Sequence, residues 1–471
     1  MAPKAARRLG AALACAALLA RAPIGARGQE QTSPILPALK PAPLPPRVVL
    51  PPPPARREGV PTTPLTAEEA ARIALRRQPA IASARAAAES AAGRTRQARS
   101  GLMPSLGLGA GYTRSEGPGG SSAGGAGATG GGASFPGWQL TASLRQLLFD
   151  FERTRQLVGQ TAALERAAEA SLTRAQLDAV FEVKQAFYAY VQSERLVQVN
   201  EANVQSRQDQ LTLAQARLAA GLGIPADTVR AQTAVAAAVL ALSVARNNAA
   251  QARVSLALVM GIDPRTPLSA AQSGEPAPSD QPVGALVDAA LRARPEIVQA
   301  RESVAAAEHG ADAARATDAP SVSLSLGAGA RGPNLPPANR FVSVGASIQW
   351  TPFDSGLTAG RVREARGAID AARAQLEAAR LSVTADVARA YLDLRTAEQQ
   401  VATTDAEAAN AEESLRLAQG RYRAGVGTFL EVTDAQAALL GARTNGVNAR
   451  SAVDLARAAM AHAIGAPILP R

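Results

Sequence analysis

The amino-acid sequence predicts an α+β membrane protein made of two copies of one unit: helix, strand, strand, very long helix, helix. Two long stretches rich in Ala, Arg, Glu, Gln and Leu lack proline, and each is long enough for a helix of roughly 100 Å. Four segments of about ten residues alternate between apolar and small polar residues, which is the period of a strand with two different faces. The same order of segments occurs twice along the chain.

Residues 1–28 are predicted to be a signal peptide, because the basic start Lys4 to Arg8 precedes an apolar run and Ala20-Arg-Ala22 offers a small-residue cleavage site. That run is shorter than the roughly 20 residues that a membrane-spanning helix needs, and no later run is expected to form one. Cys15 lies inside the apolar run behind a poor lipidation motif, so a lipid anchor and an inert signal-peptide cysteine both stay open.

A proline-rich arm, residues 29–64, is expected to be extended and to lack a core. The first repeat, residues 65–263, then begins with a helix whose N-cap is Thr66 and whose capping box is completed by Glu69. This helix is predicted to continue to Ser100, with an interruption at Pro79.

Strands are predicted on either side of a glycine-rich loop in the first repeat, and again before the second long helix. Each has the length of a transmembrane β-barrel strand, with apolar residues on one face and small polar residues on the other. In the third strand, for example, one face carries Leu324, Leu326 and Ala328, and the other face carries Ser323, Ser325 and Gly327. A soluble sandwich with one buried face is the alternative. Aromatic residues near the strand ends predict an interfacial girdle: Tyr112, Trp138, Phe149, Phe341 and Trp350.

The two long helices are predicted over residues 152–220 and 357–423. Strict spacing by seven, with one shift by four, predicts a seam that supercoils left-handedly against neighbouring helices. In the second helix this seam is formed by Val362, Ile369, Leu376, Val383, Val387, Leu394, Val401, Ala408, Leu415 and Tyr422. In isolation, such a helix would suggest an ordinary coiled-coil rod; the strand directly before it favours a different architecture.

Matching residues define a second repeat at 283–466, after a polar linker at 264–282 and before a short tail at 467–471. Duplicated units of this kind usually lie side by side around an axis. The matched pairs include Pro104 with Pro320, Phe149-Asp150 with Phe353-Asp354, Arg217 with Arg421, and Gly221 with Gly425.

Four strands cannot close a barrel, since unpaired edges in hydrocarbon cost several kcal/mol per unsatisfied group and barrels begin at about eight strands. Further copies of the chain must complete it. Three copies would give about twelve strands, enough for a water-filled lumen.

The composition argues against an enzyme and against a nucleic-acid partner. The net charge of +11 is concentrated near the start, where the first 60 residues hold nine basic and two acidic residues. The chain has two His and one Cys, so no metal site, cofactor or catalytic group is expected. His309 and His462 are expected to be ordinary helix residues.

Over roughly residues 65–466 the chain resembles the TolC family of outer-membrane channel proteins. The resemblance rests on Trp350-Thr-Pro-Phe-Asp-Ser-Gly356, on the two Ala-Leu-Arg-x-x-Pro helix starts, and on the stretch from Arg421 to Gln436. It implies a homotrimer in outer-membrane lipid, with a 12-stranded barrel joined to a periplasmic helical barrel. It further implies an exit duct that works with a periplasmic adaptor and an inner-membrane transporter, without a catalytic role.

The resemblance also implies that the two helical turns form a periplasmic tip, which serves as adaptor contact and gate. The turns are Gly221-Leu222-Gly223-Ile224 and Gly425-Val426-Gly427-Thr428, and the implied gate residues are Asp227, Tyr422, Glu431 and Asp434. Where the family archetype has a latching basic residue, this chain has Gly427. Glu431 and Asp434 would form acidic rings in a trimer, which favour cations; a solvated helix end is the alternative.

Two other protein classes fit parts of the pattern. A trimeric coiled-coil surface adhesin with a β-barrel anchor would carry its strands only at the C-terminus, whereas the strands here form two central hairpins. A periplasmic adaptor would need a single helical hairpin and no lipid-facing strands.

Overall fold

The computed structural model describes residues 64–113, 137–271, 274–275 and 281–466. The predicted signal peptide with Cys15, nearly all of the proline-rich arm, most of the first glycine-rich loop and the tail lie outside the described residues.

The observed elements repeat in the predicted order of helices and strands. Each half has two shorter helices, two strands, a long helix of 67 residues and a final helix. In chain order they are α1 (Ala67–Arg77), α2 (Pro79–Ser100), β1 (Ser105–Thr113), β2 (Gly137–Phe149), α3 (Arg153–Ala219), α4 (Pro225–Val259), α5 (Val283–Ala293), α6 (Pro295–Arg315), β3 (Ser321–Gly332), β4 (Asn339–Gln349), α7 (Leu357–Arg423) and α8 (Phe429–Ile464).

The helix starts follow the local sequence signals. Thr66 accepts a hydrogen bond from the Glu69 backbone N–H at 3.2 Å, and the Glu69 carboxylate accepts one from the Thr66 backbone N–H at 3.0 Å, which confirms the capping box. Pro79 and Pro295 each begin a new helix directly after a shorter one, because proline fits the first helical turn and interrupts a helix interior.

The long helices pack in pairs, α3 with α4 and α7 with α8, and every position of the predicted α7 seam is buried or half-buried. Val383 and Val387 belong to an apolar cluster with residues of α5 and α8, while Val197 and Val204 of α3 pack against Leu242 of α4. The apolar seam therefore joins each long helix to its shorter partner, as the heptad spacing predicts.

One feature differs from the expectation that no later segment could cross a membrane. Among the described residues, α4 is long and apolar enough to do so by length and composition, with a mean hydropathy of 1.5 in its most apolar window. Its apolar residues have another use, because Val235, Val239 and Leu242 pack along α3.

The four strands form one antiparallel sheet in the order β1-β2-β3-β4. The register aligns the apolar residues across all four strands, for example Leu106, Leu144, Leu326 and Val344 in one row. The next row, Gly107, Ser143, Gly327 and Ser343, lies on the other face. The apolar face is open, since Leu108 and Val342 are 80% and 81% exposed. Such a face needs an apolar environment.

Four of the five aromatic residues predicted to form a girdle lie at the two ends of the apolar face of the sheet. Tyr112 and Trp138 lie on the apolar face at the sheet end remote from the helices, with ring centroids 5.3 Å apart. Phe149 and Trp350 lie at the helix-proximal end, where Trp350 donates from Nε1 to the Asp318 carbonyl at 3.0 Å. A register shift between Leu147 and Phe149 places Phe149 opposite Val322 on the apolar face, because the bulge reverses the alternation.

Phe341 does not belong to this girdle. It pairs with Gly329, one residue out of phase with the apolar row, and its ring lies over the space that a Gly329 side chain would fill. The ring therefore covers a glycine on the small-residue face, and the prediction that placed Phe341 among lipid-facing aromatics is wrong. Proximity to the strand end suggested the girdle, whereas the period of two decides the face.

Two similar corners join the sheet to the long helices. Asp150 accepts from the Thr154 backbone N–H at 2.8 Å, and Asp354 accepts from the Thr358 backbone N–H at 2.6 Å. Each corner needs left-handed backbone, at Phe151 and Glu152 in the first and at Ser355 and Gly356 in the second. The corners fix the start of each long helix at the base of the sheet.

Candidate functional site

The candidate site is the end of the helical bundle remote from the sheet, where α3 turns into α4 and α7 turns into α8. Gly221 and Gly425 have φ values of +73° and +79°, in the left-handed region that favours glycine. The Leu222 N–H bonds the Arg217 carbonyl at 2.9 Å, and the Val426 N–H bonds the Arg421 carbonyl at 3.1 Å. These are Schellman caps, which close both helices at equivalent positions.

The second glycine of each turn is required by close packing. A Cβ at Gly223 would lie 2.9 Å from the Leu218 backbone nitrogen, and one at Gly427 would lie 2.8 Å from the Arg421 Cβ. Position 427 therefore has no room for the basic side chain that the family archetype carries there.

A different cation joins the two hairpins at this point. The guanidinium of Arg217, on α3, donates to the carbonyl oxygens of Tyr422 and, at 3.2 Å, of Arg423 at the end of α7. It also donates to the Leu222 carbonyl at 3.3 Å and lies 4.6 Å from the centroid of the Tyr422 ring. A cation beside the last carbonyls of a helix is favourable, so Arg217 closes the C-terminal ends of both long helices.

Tyr422 and Asp227, two predicted gate residues, meet beneath this cation. The Tyr422 ring is 4% exposed and packs edge-on against Phe429, with centroids 5.7 Å apart. Its hydroxyl donates to the Asp227 carboxylate across 3.4 Å. Burial, followed by the negative charge of Asp227, raises the pKa of Tyr422, so the phenol stays a hydrogen-bond donor at neutral pH. This contact connects α7 to α4, and hence one hairpin to the other.

The other two predicted gate residues lie apart from this contact. Glu431 stands in the first turn of α8, where its N–H bonds the side chain of the N-cap Thr428 at 3.2 Å. Its carboxylate pairs with Arg421 at 3.4 Å, and both side chains are largely solvated. Asp434 is exposed on the next turn. The structure thus separates the implied gate into a buried Asp227–Tyr422 contact and an exposed acidic pair on α8.

A buried polar layer lies about two to four turns from the tip, between α3 and α8. The side-chain oxygen of Gln436 accepts from Ser206 at 3.0 Å and from Gln210 at 3.2 Å, and its nitrogen donates to Asn203 at 3.3 Å. Sequence reasoning missed this layer. The signal was available, because Gln436 interrupts the apolar positions Val432 and Leu439 on the buried face of α8.

The outer surface of the tip is unusually apolar for a helix turn. Leu222, Ile224 and Val426 are 72%, 57% and 71% exposed, and Leu430 lies one turn further along α8 at 58%. Exposed apolar residues grouped at one end of a bundle mark an interaction surface.

The two histidines have structural contacts. His462 accepts or donates a hydrogen bond at 2.8 Å to Asp178 and stacks on Phe181, and His309 lies 2.7 Å from the Gln156 side-chain oxygen. Within the described parts of the chain, no three His, Cys, Asp or Glu side chains are grouped to hold a metal ion.

Comparison with known proteins places this architecture. Residues 70–262 and 286–466 match the family described as "Outer membrane efflux protein", so the match covers most of the chain in two segments. The chain belongs to the outer membrane efflux protein family. These proteins are passive channels and not enzymes, and the chain is an outer-membrane protein with its helical portion in the periplasm.

Relatives of this chain agree with it in sequence and in fold. Protein CyaE of Bordetella pertussis is 31% identical over 238 residues, which is 49% of this chain and 50% of CyaE, so the match spans about half of that relative. The outer membrane protein VceC of Vibrio cholerae has a TM-score of 0.71 at 24% identity, covering 85% of this chain and 96% of VceC. The MtrE channel of Neisseria gonorrhoeae, in its open state, has a TM-score of 0.72 at 21% identity, covering 86% and 89%.

Proposed function

We propose that three copies of this chain form a duct that conducts substrates passively from the periplasm to the outside. One observation carries the proposal: a four-stranded sheet with an exposed apolar face ends in the unpaired edges of β1 and β4. Pairing β4 of one copy with β1 of the next removes every edge, and three copies give a barrel of about twelve strands. Its inner face would be the small polar face of Ser323, Ser343 and their neighbours.

The long helices would extend this duct through the periplasm. Each has 67 residues, or roughly 100 Å, and begins at a corner fixed to the base of the sheet. Because both repeats supply one long and one shorter helix, three copies would surround the axis with a wall of paired helices. The conduit would therefore be continuous from the barrel to the tip.

The tip is proposed to be the adaptor contact and the gate. The exposed side chains of Leu222, Ile224 and Val426 supply an apolar surface for a periplasmic adaptor, which would connect the duct to an inner-membrane transporter. The Arg217, Tyr422 and Asp227 contacts hold the α7–α8 hairpin against the α3–α4 hairpin. Separation of these hairpins would widen the entrance. In a trimer, Glu431 and Asp434 would form acidic rings near it.

The cellular system is proposed to be a tripartite efflux pump or a type I secretion system. The alternative, a trimeric adhesin with a barrel anchor, fits less well because its strands would follow the rod, whereas here each sheet hairpin lies between helices. A strain that lacks this gene tests the choice. Loss of export, restored by the wild-type gene, together with conductance of the purified protein in a planar bilayer supports a duct. Normal export with loss of surface adhesion would support the adhesin instead.

A further inference from the structure

A shallow groove crosses the outer half of the sheet on its apolar face. The residues of β3 on this face are large near the helices and small towards the far end, in the order Val322, Leu324, Leu326, Ala328, Ala330, Gly332. The neighbouring strands do not taper in the same way, because Leu140 and Trp138 stand on β2 and Val342 on β4. The small residues form a floor between two apolar walls.

The dimensions of this groove suit a hydrocarbon chain. It is an open depression of about 710 Å³, with Leu140, Ala328, Ala330, Arg340 and Val342 among its lining residues. It crosses all four strands, about 14 Å at roughly 4.8 Å between neighbouring strands, and extends over three residues of each strand. All four strands of one chain line it, so the groove is complete without a neighbouring copy.

Among the residues that the structure describes, one cation, Arg340, lies at the mouth of the groove. Arg340 pairs with Ala330 in the sheet register and therefore lies on the apolar face, where it is exposed and makes no ion pair with any described residue. A cation on a lipid-facing surface is costly unless it reaches the interface. The Tyr112–Trp138 ring pair marks that interface one row further out. Arg331, which is next to Ala330 on β3 and therefore near Arg340, lies on the opposite face of the sheet.

We propose that this groove binds one acyl chain of a phosphate-bearing lipid of the outer leaflet, with the phosphate held by Arg340. The helices lie in the periplasm, so the Arg340 end of the sheet faces the external side. A guanidinium at the headgroup level is complementary to a lipid phosphate, and the uncharged groove below it is complementary to an acyl chain. This inference rests on the proposed barrel, because the sheet must face lipid.

Native mass spectrometry of the detergent-solubilised trimer tests the proposal. The probes are a diphosphorylated, acylated glucosamine disaccharide (lipid A), the same lipid without phosphates, and the deacylated phosphorylated headgroup. Arg340→Gln is expected to weaken binding of the phosphorylated lipid about fivefold and to leave the dephosphorylated lipid unchanged. Ala330→Leu fills the groove and is expected to weaken both lipids. The control Arg331→Gln removes a cation from the other face and is expected to change neither.

Two outcomes would refute the proposal that the groove binds lipid. One is equal binding by the Arg340→Gln and Arg331→Gln trimers, and the other is deacylated headgroup binding as strong as that of the intact lipid. The mass of each variant verifies assembly in the same spectrum. A wild-type trimer that conducts in bilayers but shows no such lipid preference refutes the groove alone, whereas the absence of a trimer contradicts the barrel.

Discussion

Removal of the Arg217 side chain is expected to loosen the tip. In the Arg217→Ala protein the α7 carbonyls of Tyr422 and Arg423 lose their donor, and the Tyr422 ring loses its cation. Each of these two half-exposed charged hydrogen bonds contributes about 1 kcal/mol, and the cation–π contact contributes about 0.5–1 kcal/mol. The contact between hairpins should weaken by about 2–3 kcal/mol, which shifts an equilibrium between joined and separated hairpins roughly 30- to 150-fold.

The chain supplies a matched control at the equivalent position of the second repeat. Arg421 has the same place relative to its turn, but it pairs with Glu431 of its own hairpin, on the surface. A solvated pair of this kind contributes about 0–1 kcal/mol. Arg421→Ala should therefore change the entrance far less than Arg217→Ala, although both variants lose one positive charge.

Single-channel recording in planar bilayers distinguishes the two variants. The Arg217→Ala trimer is expected to show a higher open probability or conductance than the wild type, with Arg421→Ala close to the wild type. Equal recordings for Arg217→Ala and the wild type, from trimers of the correct mass, would refute the role of Arg217 as the cation that joins the hairpins. Equal increases in both variants would point to net charge instead of the specific contact.

Four further predictions follow from the corners and the tip. Hydrogen bonds from Thr358 lower the pKa of Asp354. The contribution of the Asp354 carboxylate to stability is therefore fully present above pH 3.8 and declines as the pH falls through the lowered pKa. Asp354→Asn should make trimer dissociation less dependent on pH in this acid range. Glu152→Gly relieves a φ of +68° and should stabilise the trimer by about 1 kcal/mol, whereas a lower melting temperature would contradict the strain. Gly425→Val, at a φ of +79°, should abolish export while the trimer assembles, and normal export would reject the tip assignment. Glu431→Ala with Asp434→Ala should raise conductance or weaken cation preference, and an unchanged bilayer recording would remove the acidic rings.

The parts of the fold with a strong period could be predicted from the sequence. The α7 seam through Val387 and Leu394 is buried because spacing by seven keeps one stripe of a long helix against its partner. The strand faces follow from the alternation of residues. The same alternation puts Phe341 on the face of Ser343, whereas its position near the strand end suggested the girdle. The bulge before Phe149 could not be predicted, because an inserted residue leaves no local signature in this stretch.

The candidate site was predictable as a location and less so as a set of contacts. The family resemblance predicted a tip at the two glycine turns, which occupy matching places in the repeats, and Asp227 and Tyr422 meet beside these turns. The difference between Arg217 and Arg421 could not be predicted, since the repeat gives both the same local sequence setting. It arises from the asymmetric packing of the two hairpins, in which the α3 side chain reaches the end of α7.

The mass of the complex extracted from outer membranes in detergent tests the central claim most directly. If the open edges of β1 and β4 are closed by neighbouring copies, the mature protein should have the mass of three chains, each slightly below the 48.2 kDa of the full sequence, and should conduct ions when inserted in a bilayer. A monomer that stays in solution without detergent and does not insert into bilayers would contradict the account.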